Sequence, residues 1–587
     1  PVRLVSTAKR DESRHTVSIS DLDIPVEAKR EYGLAVDAGG DIERDDNGWG
    51  AVEDRLNHDG RVATERVVEV VANEAVDHDV RLVDKILHSV DFSEWESKYH
   101  LAHGQPPIHP RVMAGVILYG LLCRISSSRA LEEALQVRLD FRWLAAGRRI
   151  DHSTICKFRI GNAEELKKLY VQFAMIGIEF GWVRMTSLGY DGTRIRANNS
   201  RQASRTPDRL RQLKKELELA YEQHDQQARE ADQQDEERFG ERDANRVEAD
   251  ISDVKRKLAK VNAALEQVES LEENGRTVPK RIPVTDPESR IMPNKTGGHA
   301  PNYTPATTVD IDSGMIVDSV VLNVVNEDGE MLNSVARVQE NFDLPSPPEK
   351  LLADGLMATG DNISQCNEQG IDLYAPIKTV DPSTNPAVRT SLTEPVAEED
   401  RDRLPRANVT VDGVKRQQLS KDSFVYDAAE NGYRCPMGKP LSYRGSTQEK
   451  RSSGKSRTRH RYRADAETCS ECPLADLCLR KADTGRQVTR EQHEQQRVAH
   501  AEKMATDEAK EIYKTRQHAG ERPFAVMKWF FRVDQFLTRG LDRVSQEYDW
   551  LSAGFNLHCL LRLIRHSTGP PRPKAIALYP SLSPIST

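Results

Sequence analysis

Three carboxylates set the chemistry this chain can do. Asp191 follows the run Met185 to Tyr190, and Asp354 follows Lys350 to Ala353, so each closes a β-rich segment. Strand ends of an open α/β sheet are where ligands bind, and two carboxylates on neighbouring strand ends can share a divalent cation. Glu521, at the head of an amphipathic helical segment, is placed to supply a third. Mg²⁺ takes oxygen ligands in octahedral array and keeps several waters. Two such ions side by side clamp the attacking and leaving oxygens of phosphoryl transfer. Lys528 stands seven residues after Glu521, close to two helical turns, which predicts both on one helix face. A strand-end aspartate alone is more often a cap or turn former, so the combination carries the reading. Asp310 and Asp312 compete with it, but Asp312-Ser313-Gly314 reads as a hairpin turn.

Two further clusters have chemical content. Cys435 precedes a proline, and Cys469, Cys472 and Cys478 follow within one stretch. A Cys-x₂-Cys pair with two more thiols can make a tetrahedral Zn²⁺ set, although the spacing is irregular and a reduced thiol cluster is the other reading. Between them, Arg444 to Arg463 holds eight Lys/Arg and one Glu. Arg451, Lys455, Arg457 and Arg459 are candidates for phosphate contacts, with Tyr443 and Tyr462 placed to stack on unpaired bases.

Behind these residues the pattern of the chain changes several times. Residues 1–76 are charged and Gly/Asp-rich and read as a poorly ordered extension. Residues 77–183 read as all helical: Leu82, Val83, Ile86, Leu87 and Val90 share one face, Pro110 suits a first helical turn, and serines or threonines cap the helices that follow. Strand patterns occupy 184–200 and return from Thr307, followed by alternating helix and strand to Ile377. The intervening segment, 201–289, carries Leu210, Leu213, Leu217 and Ala220, then Val247, Ile251, Val254, Leu258, Val261, Leu265 and Val268 at alternating spacings of three and four. That is a heptad seam, expected as an antiparallel coiled-coil hairpin with a tip near Gly240, or else as a dimerising coiled coil. Residues 379–501 read as a second insertion, polar to 424 and then cysteine-rich and basic. Residues 502–565 are helical, and 566–587 form a Pro-rich tail. With both insertions removed, strands and helices in 184–200, 290–378 and 502–565 follow the order of a ribonuclease H-like mixed α/β sheet.

Composition bounds the rest. With 84 Lys+Arg against 92 Asp+Glu, the formal charge is −8, which excludes a uniformly basic nucleic-acid coat but not a local basic groove. Mean hydropathy is −0.64. The longest apolar run, Val112 to Cys123, is too short to span a membrane. No apolar leader core is seen at the N-terminus, so an intracellular protein with reduced thiols is expected.

The segments around Asp191 (Leu188 to Ser200), Asp354 (Leu351 to Ile377) and Glu521 (Glu521 to Val544) resemble the three acidic motifs of prokaryotic insertion-sequence DDE transposases. Tyr99 to Leu135 and Asp151 to Arg159 are similar to that family's helical N-terminal domain, and the cysteine pattern also occurs in the family. The resemblance covers roughly 77–200, 290–378 and 425–565. It implies a ribonuclease H-like core in which Asp191, Asp354 and Glu521 hold two Mg²⁺, with Mn²⁺ able to substitute, and a DNA-binding domain over 77–183. It also implies a signature of Tyr513, Arg516, Glu521 and Lys528, in which Arg516 stands one residue further from the glutamate than usual. Arg516 and Lys528 would then face DNA. The implied activity is end cleavage and strand transfer of an insertion sequence, acting on its terminal inverted repeats and a target, by a homodimer or larger assembly at the nucleoid. A nuclease of the same fold without strand transfer, or an inactive DNA-binding derivative, are the alternatives.

Overall fold

The computed structural model describes residues 78–566 apart from 100–106, 200, 236–243, 295–296, 326, 328, 378–379, 412–413, 451–455 and 482–483. The expected N-terminal extension and Pro-rich tail lie outside these, as do Arg451 and Lys455.

The first part is helical, as its periodicity predicts: α1 (Asp79–His88), α2 (Pro110–Leu122), α3 (Ser128–Val137), α4 (His152–Gly161) and α5 (Ala163–Glu179). Pro110 opens α2, and the Ser127 hydroxyl accepts from Ala130 N to cap α3. The cap of α4 is Asp151, not the expected Ser or Thr. Its carboxylate takes the N–H groups of both Ser153 and Thr154, a stronger acceptor for two orphan donors.

Next come β1 (Ser187–Gly192) and β2 (Ile195–Arg196), then the long helices α6 (Pro207–Asp235) and α7 (Ala244–Glu273). These two pack on each other through Leu210, Val261, Ala264, Leu265 and Val268, with Leu213 and Leu217 at the edge. The chain returns as β3 (Arg290–Pro293), β4 (His299–Asp310), β5 (Ile316–Leu322), α8 (Met331–Asn341), β6 (Lys350–Leu352), α9 (Gly360–Glu368) and β7 (Asp372–Tyr374). Among the described residues these strands form one seven-stranded mixed sheet ordered β2-β4-β1-β6-β7, with β3 and β5 also paired to β4. β4 runs antiparallel to β1 and β5, whereas β6 is parallel to β1 and to β7. The β4–β5 turn is the one expected, with Gly314 at φ 72°, a conformation that favours glycine.

The insertion after β7 is better anchored than its polar sequence suggests. A hairpin of β8 (Arg406–Val411) and β9 (Val414–Leu419) precedes a second sheet of β10 (Val425–Asp427), β11 (Gly432–Arg434), β12 (Pro440–Lys450), β13 (Ser456–Arg463) and β14 (Gln487–Glu491). Ala387, Val396, Leu404 and Phe424, from the stretch read as polar, are buried in its separate small core.

Helices α10 (Glu494–Ala505), α11 (Asp507–Ala519) and α12 (Leu541–His566) complete the chain. One hydrophobic core runs from Val80 and Trp95 through the seven-stranded sheet to α12. Asn556, fully buried on α12, pins three elements: its Oδ1 accepts from Ile316 N (2.8 Å), and its Nδ2 donates to Ile316 O (2.8 Å) and Tyr170 O (2.9 Å). No helix of the described residues is long and apolar enough to cross a membrane.

Candidate active site

Sheet register places the two aspartates together. β1 pairs with β6 as Leu188 with Leu351 and Gly189 with Leu352. Two residues further along each chain stand Asp191 and Asp354, at equivalent positions of neighbouring parallel strands about 5 Å apart. Asp191 is still in β1, where its Oδ1 accepts from Gly192 N (2.9 Å). Asp354 lies just past β6, where its Oδ1 accepts from Leu356 N (3.0 Å) and caps a short 3₁₀ turn.

The helical side of the site comes from α11 and the residues after it. Gly520 passes close to Asp191: a Cβ at 520 would lie 3.9 Å from the Asp191 Cβ. Glu521 follows at the break between α11 and the next turn, exposed. The acids sense one another. Burial raises the Asp191 carboxyl to about 6; the Arg516 guanidinium opposes this, and the Asp354 and Glu521 carboxylates add to it.

Two expected DNA contacts are placed differently. Arg516 is buried, 5% exposed, and its Nη2 is 3.0 Å from Asp191 Oδ1. It is an internal counter-ion of the acidic site instead of a surface cation, and Tyr513 lies beside its guanidinium. Lys528 donates to Thr193 Oγ1 (2.5 Å) and Arg194 O (3.1 Å), against the loop that follows β1. The segment that joins Glu521 to Lys528 is not one regular α-helix. Val526–Phe530 is a π-helical turn, whose i→i+5 bonding widens the turn, so seven residues no longer close two α turns.

The structure adds a carboxylate that local sequence did not reveal. Glu327, in the loop between β5 and α8, lies against Gly192, where a Cβ would meet Glu327 Oε2 at 1.7 Å. That oxygen is buried without a hydrogen-bond partner. Burial raises the Glu327 carboxyl to about 7; Asp191 reinforces the shift, Arg194 opposes it, and Asp354 adds a little more. In sequence Glu327 sits among Asn326, Asp328, Gly329 and Glu330, which read as helix-start residues; the glycine after Asp191 was the one available signal. Asp310, the reserve carboxylate, is fully buried and committed to its turn. It accepts from Met185 N (3.0 Å), Ser313 N (2.9 Å) and Ser313 Oγ (2.7 Å).

Among the described residues, no group of three or more His, Cys, Asp or Glu side chains is close-set enough to hold a metal ion. Asp191 is held by Arg516 instead. The donor chemistry nonetheless fits a hard dication: the carboxylates are all oxygen donors raising one another's proton affinity, and one buried oxygen of Glu327 is orphaned. The four cysteines of the insertion gather in its small core, and the Cys478 thiol, pushed up to about 12 by burial, feels Cys469, Cys435 and Cys472.

On the basic hairpin, Arg457 and Arg459 are already paired. Arg457 reaches Glu491 (2.7 Å) and Glu449 (3.3 Å), and Arg459 reaches Glu449 (2.8 Å). They are not the open phosphate contacts expected. Tyr462 is buried at 2% exposed against Tyr433 and Tyr426, which removes it as a base-stacking platform; Tyr443 is 42% exposed.

Comparison with known proteins finds two family matches. A Transposase DDE domain model matches residues 434–561, which include Arg516, Glu521 and Lys528, and a Transposase domain model (DUF772) matches residues 70–160. Asp191 and Asp354 fall outside both. No curated protein matches the chain.

Proposed function

We propose that this chain, which matches transposase family models over residues 70–160 and 434–561, is an insertion-sequence DDE transposase that cuts the ends of its DNA element and joins them to a target. The observation that carries the reading is the register that brings Asp191 level with Asp354, with Gly520 and Glu521 delivered beside them by α11. The core reads as ribonuclease H-like, and α6 and α7 as a coiled-coil arm. Asp191, Asp354 and Glu521 would hold two Mg²⁺, or Mn²⁺ in their place, which supply nucleophile activation and charge neutralisation when bound.

The chain's own residues do the rest. Arg516 keeps Asp191 ionised against its burial and fixes its orientation. Lys528 steadies the loop after β1 that carries Thr193 and Arg194 beside the acids. In cleavage, water forms a new P–O bond and the 3′-oxygen of the element end leaves. In strand transfer, that 3′-oxygen attacks a target phosphodiester and a target 3′-oxygen leaves. The helices of 77–183 would grip the terminal inverted repeats. Both ends must be held at once, which calls for a dimer or larger assembly working at the nucleoid in the cytoplasm. A structural Zn²⁺ in the insertion is the reading favoured by the four cysteines that share its small core and feel one another electrostatically.

Asp191→Asn, Asp354→Asn and Glu521→Gln should each abolish cleavage and joining in Mg²⁺ while leaving DNA binding intact. An amide keeps the shape and removes the ligating charge. Robust Mg²⁺-dependent cleavage by any one of them removes that residue from the set.

A further inference from the structure

The hairpin of β12 and β13 carries its arginines on one face, because Arg457, Arg459, Arg461 and Arg463 alternate with Thr458, His460 and the buried Tyr462. That face divides along its length. Near the tip, Arg457 stands opposite Glu449 and Arg459 opposite Glu491, and salt bridges join these two arginines to the two glutamates both directly across and, more closely, on the diagonal. Towards the base, Arg461 is opposite Thr489 and Arg463 opposite Ser442 and Gln487, all neutral. A β-bulge between Tyr443 and Ser446, with Gly445 at φ 102°, brings Arg444 to the same end.

The three arginines line a cavity of about 520 Å³ whose other walls include Thr484, Gly485 and Gln487. Its floor is built closely: a Cβ at 485 would stand 1.9 Å from Ala464 O, so the backbone approach there needs glycine. Among the described residues Asp465 is the one acid lining the cavity, and it pairs with Arg444 at 3.2 Å, both side chains more than half exposed. Three guanidinium groups against one carboxylate leave an excess of positive charge in a polar pocket. Guanidinium forks match phosphate oxygens.

We infer that this cavity, and not the hairpin tip, is where the insertion grips a backbone phosphate of duplex DNA, through Arg461 and Arg463 with Arg444 in support. The inference rests on the reading of the chain as a DNA-processing enzyme, but its test needs no cleavage.

Binding of the full chain to a fluorescent 30-base-pair duplex of random sequence is followed by anisotropy from 50 to 200 mM salt, without added divalent cation, in an Asp191→Asn background. Each phosphate contact adds about 0.9 to the slope of log affinity against log salt. The Arg461→Ala/Arg463→Ala pair should lower the slope by about 0.9, so that affinity falls roughly 3.5-fold less over this range. Arg457→Ala/Arg459→Ala should leave the slope unchanged, and Arg461→Lys/Arg463→Lys should retain it. An unchanged slope in the first pair, an equal loss in the tip pair, or an equal loss in the charge-conserving pair each overturns the inference. Failure of the cleavage reading would show separately, as no Mg²⁺-dependent nicking of element-end DNA by the wild-type chain.

Discussion

Glu327→Gln tests whether a fourth carboxylate belongs to the acidic site. The substitution keeps the shape of the side chain against Gly192 and removes its charge. Burial and the neighbouring Asp191 carboxylate raise Glu327 from the ordinary 4.5 to about 7. At ~1.4 kcal/mol for each pH unit, holding it ionised in the folded chain costs about 3 kcal/mol. The folded value is raised, so the stability linked to its proton is complete below pH 4.5 and is lost as pH climbs through 7. Wild type and Glu327→Gln should therefore melt alike near pH 4.5, and the variant should be the more stable by about 3 kcal/mol at pH 8. Differential scanning of the full chain from pH 4.5 to 8.5 reads this directly. If the acids repel as their placement implies, Mg²⁺ at pH 8 should raise the wild-type melting temperature more than that of the variant. A stability difference independent of pH, or Mg²⁺ stabilising both equally, would refute the electrostatic account of Glu327.

Two further outcomes follow from packing and from the thiols. Asn556→Leu should destabilise the core by about 2–4 kcal/mol, because Ile316 N and O lose their buried partner; a melting midpoint within a degree of wild type would count against that role. Protein purified without chelator should carry close to one zinc per chain by elemental analysis, and Cys469→Ser/Cys472→Ser should lose it; a folded, zinc-free wild-type protein would dismiss the metal.

The sequence alone determined what its short-range patterns encode. Apolar periodicity marked the helices of 77–183 and the heptad positions that close α6 on α7, because period 3.6 and heptad spacing are local properties. Asp312-Ser313-Gly314 marked the β4–β5 turn for the same reason. Asp191 and Asp354 were legible as strand-end acids, since a β-rich run and the residue that ends it lie side by side in the chain. What only the tertiary structure decided concerns pairs distant in sequence. The β1–β6 register made the two aspartates neighbours across a long insertion. Glu327 comes to lie beside Asp191 because its loop folds onto Gly192, and nothing in its own surroundings distinguishes it from a helix cap. Arg516 carries the same charge buried or exposed, and only the packing of α11 on the sheet turns it inward to Asp191. The arginines of β13 are identical in type and spacing. Which of them are neutralised is set by Glu449 and Glu491 on the flanking strands, because cross-strand register, not composition, decides which arginines lie within reach of those two acids.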